Sequence, residues 1–249
     1  MKANIIFLLT AFVLCGIDAN AQYIYKRAVT DVDSQYIYRR EAIRPYVGLT
    51  MNLGVGVEDM ETGIITQDRE IVRVSTGGGL ALGVIGLAPV SDLWSVSGEV
   101  NYQFTTITPT LKNASGGFHH FNFIPSVKRA FPVGKSSNYI FVGAGALFSI
   151  APELEIDASE IPGGLDYGFK YKSSAGAVLS GEYARWIADQ RICGVFGLRY
   201  AYIRHEADKM SLNGQEYSLN QEAHDILPDE MDKPDGSGIE LTLSLIFKI

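Results

Sequence analysis

The chain has 249 residues with a formal net charge of −7 at pH 7, 47% hydrophobic residues, 26 glycines, 13 tyrosines and two cysteines. An acidic balance of this size argues against a nucleic-acid partner, because binding phosphates needs a basic face. The length suits one domain of ordinary size for an all-β barrel.

The first residues set the compartment. Lys2 gives a positive start, residues 5–17 are apolar except for Thr10 and Gly16, and Ala19-Asn20-Ala21 places small residues at the cleavage-determining positions. Residues 1–21 are therefore expected to be a secretory signal peptide. A membrane anchor would want about 18 or more apolar residues, longer than this run. A lipoprotein reading through Cys15 is disfavoured by Leu14, which is not small. Loss of the signal removes Cys15 and leaves Cys193 alone, so no internal disulfide can hold the exported chain.

Residues 22–44 are polar and contain a short repeat, Gln22-Tyr23-Ile24-Tyr25-Lys26-Arg27 echoed by Gln35-Tyr36-Ile37-Tyr38-Arg39-Arg40. Two copies are too few for a solenoid. The simplest expectation is a periplasmic lead-in. The sharper one is a pair of short strands whose Tyr23, Tyr25, Tyr36, Tyr38, Arg39 and Arg40 contact a partner.

Strict alternation begins next. Val47, Leu49, Met51, Leu53, Val55 and Val57 fall on one face, while Gly48, Thr50, Asn52, Gly54 and Gly56 fall on the other. Residues 58–70 form a charged, turn-rich loop before a small, glycine-rich strand over 72–87. After a turn at Pro89, Trp94, Val96, Val100, Tyr102 and Phe104 alternate with Ser95, Ser97, Glu99, Asn101 and Gln103. An apolar face with aromatics at both ends matches the girdles of membrane barrels. Further strands are predicted over 118–130, 138–150, 167–185 and 191–204, with loops at 108–117, 151–166 and 205–237 and short turns at 131–137 and 187–190.

The last twelve residues close the pattern. Ile239, Leu241, Leu243, Leu245, Phe247 and Ile249 share a face, opposite Glu240, Thr242, Ser244 and Lys248, with Ile246 the exception. Eight strands result, and their connections run long and short in strict alternation, as when one end carries surface loops and the other periplasmic turns. The expected fold is all-β, an eight-stranded antiparallel up-and-down transmembrane β-barrel over 45–249.

On these residues the chain resembles the small eight-stranded outer-membrane β-barrel proteins of Gram-negative bacteria, most nearly the porin-like barrel family with its PorT-type secretion-associated members. The resemblance implies integral outer-membrane localisation, contact with outer-membrane lipid and lipopolysaccharide, and recognition by the barrel-assembly machinery. Leu243, Leu245, Phe247 and Ile249 then stand as the C-terminal assembly signal. Activity does not follow from the resemblance; the expected role is non-enzymatic and without a cofactor, in envelope structure or as a binding or accessory component of an outer-membrane or secretion complex.

Reading the polar parity inward places Glu99, Lys128, Lys172, Glu182, Arg199 and Glu240 in the lumen. Charges in a narrow, low-dielectric space are costly unless paired, so Glu99 is expected with Arg199 and Lys128 with Glu182. An eight-stranded interior is just wide enough for side chains to fill, so the barrel is expected not to conduct.

Other candidates for chemistry are weaker. His119 and His120 are neighbours on a strand and point to opposite faces, which keeps them from sharing one ion. Gly143-Ala144-Gly145 lacks the third glycine and the helix of a dinucleotide site and reads as a small-residue lumen patch. The last loop carries Glu206, Asp208, Glu216, Glu222, Asp225, Asp229, Glu230, Asp232 and Asp235 against Lys209 and Lys233. It does not fit a calcium hand and reads as a solvated acidic loop, with weak divalent-ion binding as the lesser alternative. Two rival functions stay open. A rim-located lipid A or lipopolysaccharide hydrolase would use a residue such as His120, although Asn122 stands where a nucleophilic serine is wanted. A soluble periplasmic barrel binding an apolar ligand would turn its apolar faces inward.

Overall fold

The computed structural model describes residues 45–249 apart from 66–68, 92, 110–112, 134–137, 159–165, 188–190 and 220–228. The expected signal peptide (1–21) and the tyrosine-bearing segment (22–44) lie outside the described residues.

The strands in chain order are β1 (Tyr46–Gly56), β2 (Asp59–Ile65), β3 (Ile71–Ser75), β4 (Gly79–Pro89), β5 (Trp94–Phe104), β6 (Ser115–Val133) and β7 (Asn138–Asp157). They continue with β8 (Tyr167–Tyr171), β9 (Ser174–Ile187), β10 (Ile192–Tyr202), β11 (Ala207–Leu212), β12 (Gln215–Ser218) and β13 (Gly238–Lys248). One helical turn, Asp229–Asp232, precedes the last strand. Antiparallel pairing runs β1, β4, β5, β6, β7, β9, β10, β13 and back to β1, which closes an eight-stranded up-and-down barrel. Closure is in register end to end, from Tyr46 opposite Lys248 to Gly56 opposite Gly238.

The alternation of the sequence becomes the two faces of the wall. On β1, Val47, Leu49, Leu53 and Val55 point outward and are exposed, Val55 at 75%, whereas Asn52 is 1% exposed within the lumen. Trp94 and Val96 at one end of β5 and Tyr102 and Phe104 at the other are exposed in the same way. So are Leu243, Leu245, Phe247 and Ile249 on and just after β13. An exposed apolar belt bounded by aromatics, around a wall whose backbone groups pair strand to strand, is the surface of a transmembrane barrel. It runs opposite to the arrangement that a soluble ligand-binding barrel requires, and that rival reading is set aside.

The interior is layered. At the short-turn end the lumen is apolar, with Ile85, Leu87, Ala130, Phe141, Ala184, Cys193, Val195 and Ile246 packed under Tyr46, Tyr139 and Trp186. The rings of Tyr46 and Trp186 lie 4.5 Å apart. Ile246 breaks the polar parity of β13 because its inward position falls in this layer. Above it the lumen turns polar along β1 and β5, while Ile124, Leu147, Val178, Ala201 and Ile203 form a smaller apolar cluster on the side of β6, β7, β9 and β10.

Where they are described, the long connections are folded rather than open loops, which corrects the expectation for the described parts of 58–70, 151–166 and 205–237. The β2–β3 hairpin, the upper parts of β6 and β7, and β8 and β11 enclose a second core. Its members are Met60, Val72, Val74, Ile107, Phe118, Leu154, Ile156, Phe169, Tyr171 and Ala207. This cap covers the long-loop mouth of the barrel. The strand expected over 72–87 is split into β3 and β4, and that over 167–185 into β8 and β9, because in each case the chain passes from cap to barrel. β6 begins before, and β7 ends beyond, the predicted limits for the same reason, while β6 also runs on through 131–133, part of the expected turn, paired with the start of β7.

Candidate functional site

Two places concentrate chemistry: the lumen and the outer wall where the barrel meets its cap. In the lumen, Arg199 on β10 donates from Nη1 and Nη2 to Oε1 and Oε2 of Glu99, on β5 at the opposite side of the barrel. Nη1 also donates to Glu240 Oε2 at 3.3 Å, from the neighbouring strand position in register. Glu99 accepts further hydrogen bonds from Asn52 Nδ2 at 2.9 Å and Asn101 Nδ2 at 2.7 Å. The network continues upward, since Asn122 Nδ2 donates to Asn101 Oδ1 at 3.1 Å and Gln103 Oε1 at 2.9 Å. Gln103 in turn donates to the carbonyl of Gly78 at 2.7 Å.

A second charge pair lies lower. Lys128 Nζ donates to both carboxylate oxygens of Glu182 at 2.7 Å, with the two residues 5% and 4% exposed. They come from β6 and β9 and meet across β7, where Gly143 faces the lumen and carries no side chain to separate them. Gly143 and Gly145 thus belong to the lumen wall, while Ala144 points outward. The residual space beside this pair is about 10 Å³, at the lower limit for one water.

The structure therefore brings Glu99, Arg199 and Glu240 together, and Lys128 with Glu182. Lys172 is a correction. It lies outside the lumen between β8 and β9, half exposed, and pairs with Glu206. Inward parity could not be carried through a position where the strand is interrupted.

At the junction with the cap, His119 points outward and His120 inward, as adjacent strand residues must. His120 is 5% exposed and its Nδ1 has no hydrogen-bond partner among the described residues. Its ring lies 5.3 Å from Phe118 and 5.9 Å from His205, which comes from the connection after β10. His205 is 2% exposed, and burial pushes its imidazole pKa down to about 4, against a smaller upward pull from Asp235. Nothing in the sequence singled out His205, because its partners come from the cap.

The acidic residues of the last connection are mostly engaged. Glu216 pairs with Lys170 and, at 3.6 Å, with Lys209. Asp235 Oδ1 accepts from the Ser237 backbone N–H at 2.8 Å, and Glu230 Oε2 from that of Glu61 at 3.4 Å. Asp232 is 3% exposed. Glu222 and Asp225 lie outside the described residues.

No protein-family model matches the sequence, and the search of curated proteins gave no match. Among solved structures, the chain is similar to the crystal structure of the outer membrane protein OprG from Pseudomonas aeruginosa, with 11% sequence identity. That similarity covers 84% of this chain and 97% of the other at a TM-score of 0.48. The barrel reading rests on the strand pairing and the apolar belt described above.

Proposed function

We propose that the protein is a non-enzymatic outer-membrane β-barrel with a side-chain-filled lumen, acting in envelope structure or as an accessory component of an envelope or secretion complex. The observation that carries this reading is the combination of an outward apolar belt with a lumen closed by hydrogen-bonded charges and two apolar layers. Such a molecule offers its ordered cap and its termini, rather than a pore, to partners. The accessory role extends the resemblance of the alternating strands to porin-like barrels with PorT-type members. The candidate handle is the segment bearing Tyr23, Tyr25, Tyr36, Tyr38, Arg39 and Arg40.

A lipid hydrolase finds no support in the position of His120, which is closed beneath the cap and has Asn122 as its inward neighbour. Fractionation followed by affinity capture tests the proposal. The protein should sediment with outer membranes, and deleting residues 22–40 should leave the heat-modifiable barrel intact while abolishing co-purification of its partners. Recovery in the soluble periplasmic fraction would overturn the localisation. Unchanged partners after the deletion would move the contact surface to the cap.

A further inference from the structure

We propose that His119, Glu153 and Glu155 form a site for a divalent transition-metal ion such as zinc, on the outer wall where the barrel meets its cap. The site owes its existence to a β-bulge. Phe121 on β6 pairs with Ile150, yet His119 pairs with Glu153, so β7 carries one extra residue in this interval. Ala151 absorbs it with φ of 50°. The extra residue reverses the parity of β7. Below the bulge Val142 and Phe148 face outward. Above it Pro152, Leu154 and Ile156 turn into the cap core, and Glu153 and Glu155 turn out beside His119.

One ligand atom from each of these three residues lies within 4.8 Å of the other two. His119 Nε2 and Glu153 Oε2 are 4.0 Å apart, converging without a hydrogen bond between them. Ligands of a tetrahedral zinc stand about 3.4 Å apart at bond lengths of about 2.0–2.2 Å, so rotations of the partly exposed side chains by about 1 Å complete the sphere. Lys170 Nζ lies 3.7 Å from Glu153 Oε1, the oxygen not directed at His119, and has Glu216 as a second partner when an ion competes.

The ligand set chooses the ion class. One imidazole with two carboxylates suits zinc and its first-row neighbours, whereas calcium and magnesium prefer oxygen alone. Three protein ligands leave one position open. It faces a groove of about 410 Å³ lined by Tyr102, Phe104, Thr105, Gly116 and Gly117 together with His119 and Glu155. The groove floor is bare by necessity, because a Cβ on Gly117 would stand 1.9 Å from the Thr105 carbonyl oxygen. The site is therefore open to solvent and to exchange.

The test is calorimetric titration of zinc chloride into untagged full-length protein, chelator-stripped in detergent, with cobalt(II) absorption as a second readout. One zinc per chain is expected. His119→Ala and Glu155→Gln should each weaken binding at least about tenfold, since even outer-shell changes at metal sites cost that much. Glu206→Gln, in the Lys172 pair elsewhere on the cap, should leave it unchanged. Cobalt should give the intense visible bands of a tetrahedral site in the parent protein and lose them in His119→Ala. Absence of saturable binding, equal affinity in His119→Ala and Glu155→Gln to that of the parent, or tighter binding of calcium than of zinc would overturn the proposal. Heat-modifiable migration of each variant reports independently that the barrel has folded.

Discussion

Arg199 and Glu99 sit on strands at opposite sides of the barrel and meet across its full width through two guanidinium nitrogens and two carboxylate oxygens. This contact ties the two halves of the wall together at mid-height. Glu240 joins from β13, and Asn52 and Asn101 supply the hydrogen bonds that Glu99 would otherwise lack. Breaking a buried pair leaves a charge without compensation, which costs more than the pair contributes. Arg199→Ala should therefore lower stability by about 3–5 kcal/mol, less if water enters the lumen. Urea unfolding in detergent measures it, and a change below about 1 kcal/mol would show that the pair is not a structural tie.

The two carboxylates around Arg199 should respond differently to neutralisation. Glu99 is held by three residues, whereas Glu240 has a single contact with Arg199 at 3.3 Å. Among the described residues the lumen also holds three carboxylates, Glu99, Glu182 and Glu240, against the two cations Lys128 and Arg199. Glu240→Gln removes the excess negative charge and should be neutral or stabilising, while Glu99→Gln should destabilise by about 1.5–3 kcal/mol. Equal effects from the two substitutions would contradict this ranking.

Gly143 is where β7 gives way to the Lys128–Glu182 pair. A Cβ there would lie 2.8 Å from Ser180 Oγ and 3.0 Å from Lys128 Cγ. Alanine requires both neighbours to shift, and a branched side chain cannot be placed without displacing the ammonium from the carboxylate. Gly143→Val should cost about 1–3 kcal/mol by overpacking. Gly194 has open space around its Cβ position, so Gly194→Ala should be tolerated. Thermal unfolding of the two variants side by side checks the contrast.

The cap should loosen in acid. His205 is buried among Phe118, Tyr171 and His120, and its pKa is lowered from 6.5 to about 4. An unfolded chain binds this proton more readily than the folded one, so stability is complete above pH 6.5 and declines as pH falls toward 4. The loss amounts to about 3 kcal/mol at most, and it acts on the cap rather than the barrel wall. Pepsin at pH 4 should cut the cap of the parent protein far faster than that of His205→Phe. Equal cleavage of the two would assign acid sensitivity to other groups.

How much of this was legible depended on where the period of two persists. In β1, β5 and β13 each residue keeps its face from end to end, so strand count, apolar belt and the polar lumen could be read directly. Glu99 and Arg199 were recognisable as inward partners by parity and charge. Glu240 as a second carboxylate on Arg199 was not, because that contact needs the register of β10 against β13. Parity also fails at Ala151, where the bulge turns Glu153 and Glu155 outward, and at Lys172, where β8 ends before β9 begins. The cap escaped the sequence reading because its strands are short and its core draws residues from the β2–β3 hairpin, the β5–β6 connection, β6, β7, β8 and β11. His205 becomes interesting only once those segments have packed.

The barrel should not conduct. Its eight strands enclose a lumen that side chains can fill. They do so with the apolar cluster around Ile246 at the short-turn end, the charges and the smaller cluster of Ile124, Leu147, Val178, Ala201 and Ile203 above it, and the cap core at the other end. The space beside Lys128 and Glu182 is too small for a continuous water column. An ion crossing would need to displace both charge pairs and also force open an apolar layer, each step opposed by desolvation. Planar-bilayer recording on the wild-type protein should show a silent baseline. Truncating the plug with Ile246→Gly and Phe141→Ala should still leave it silent, because the Arg199 network closes the lumen independently. A steady conductance comparable to that of a general porin would overturn the filled-lumen arrangement. Conductance appearing only in the Arg199→Ala variant would identify that side chain as the barrier.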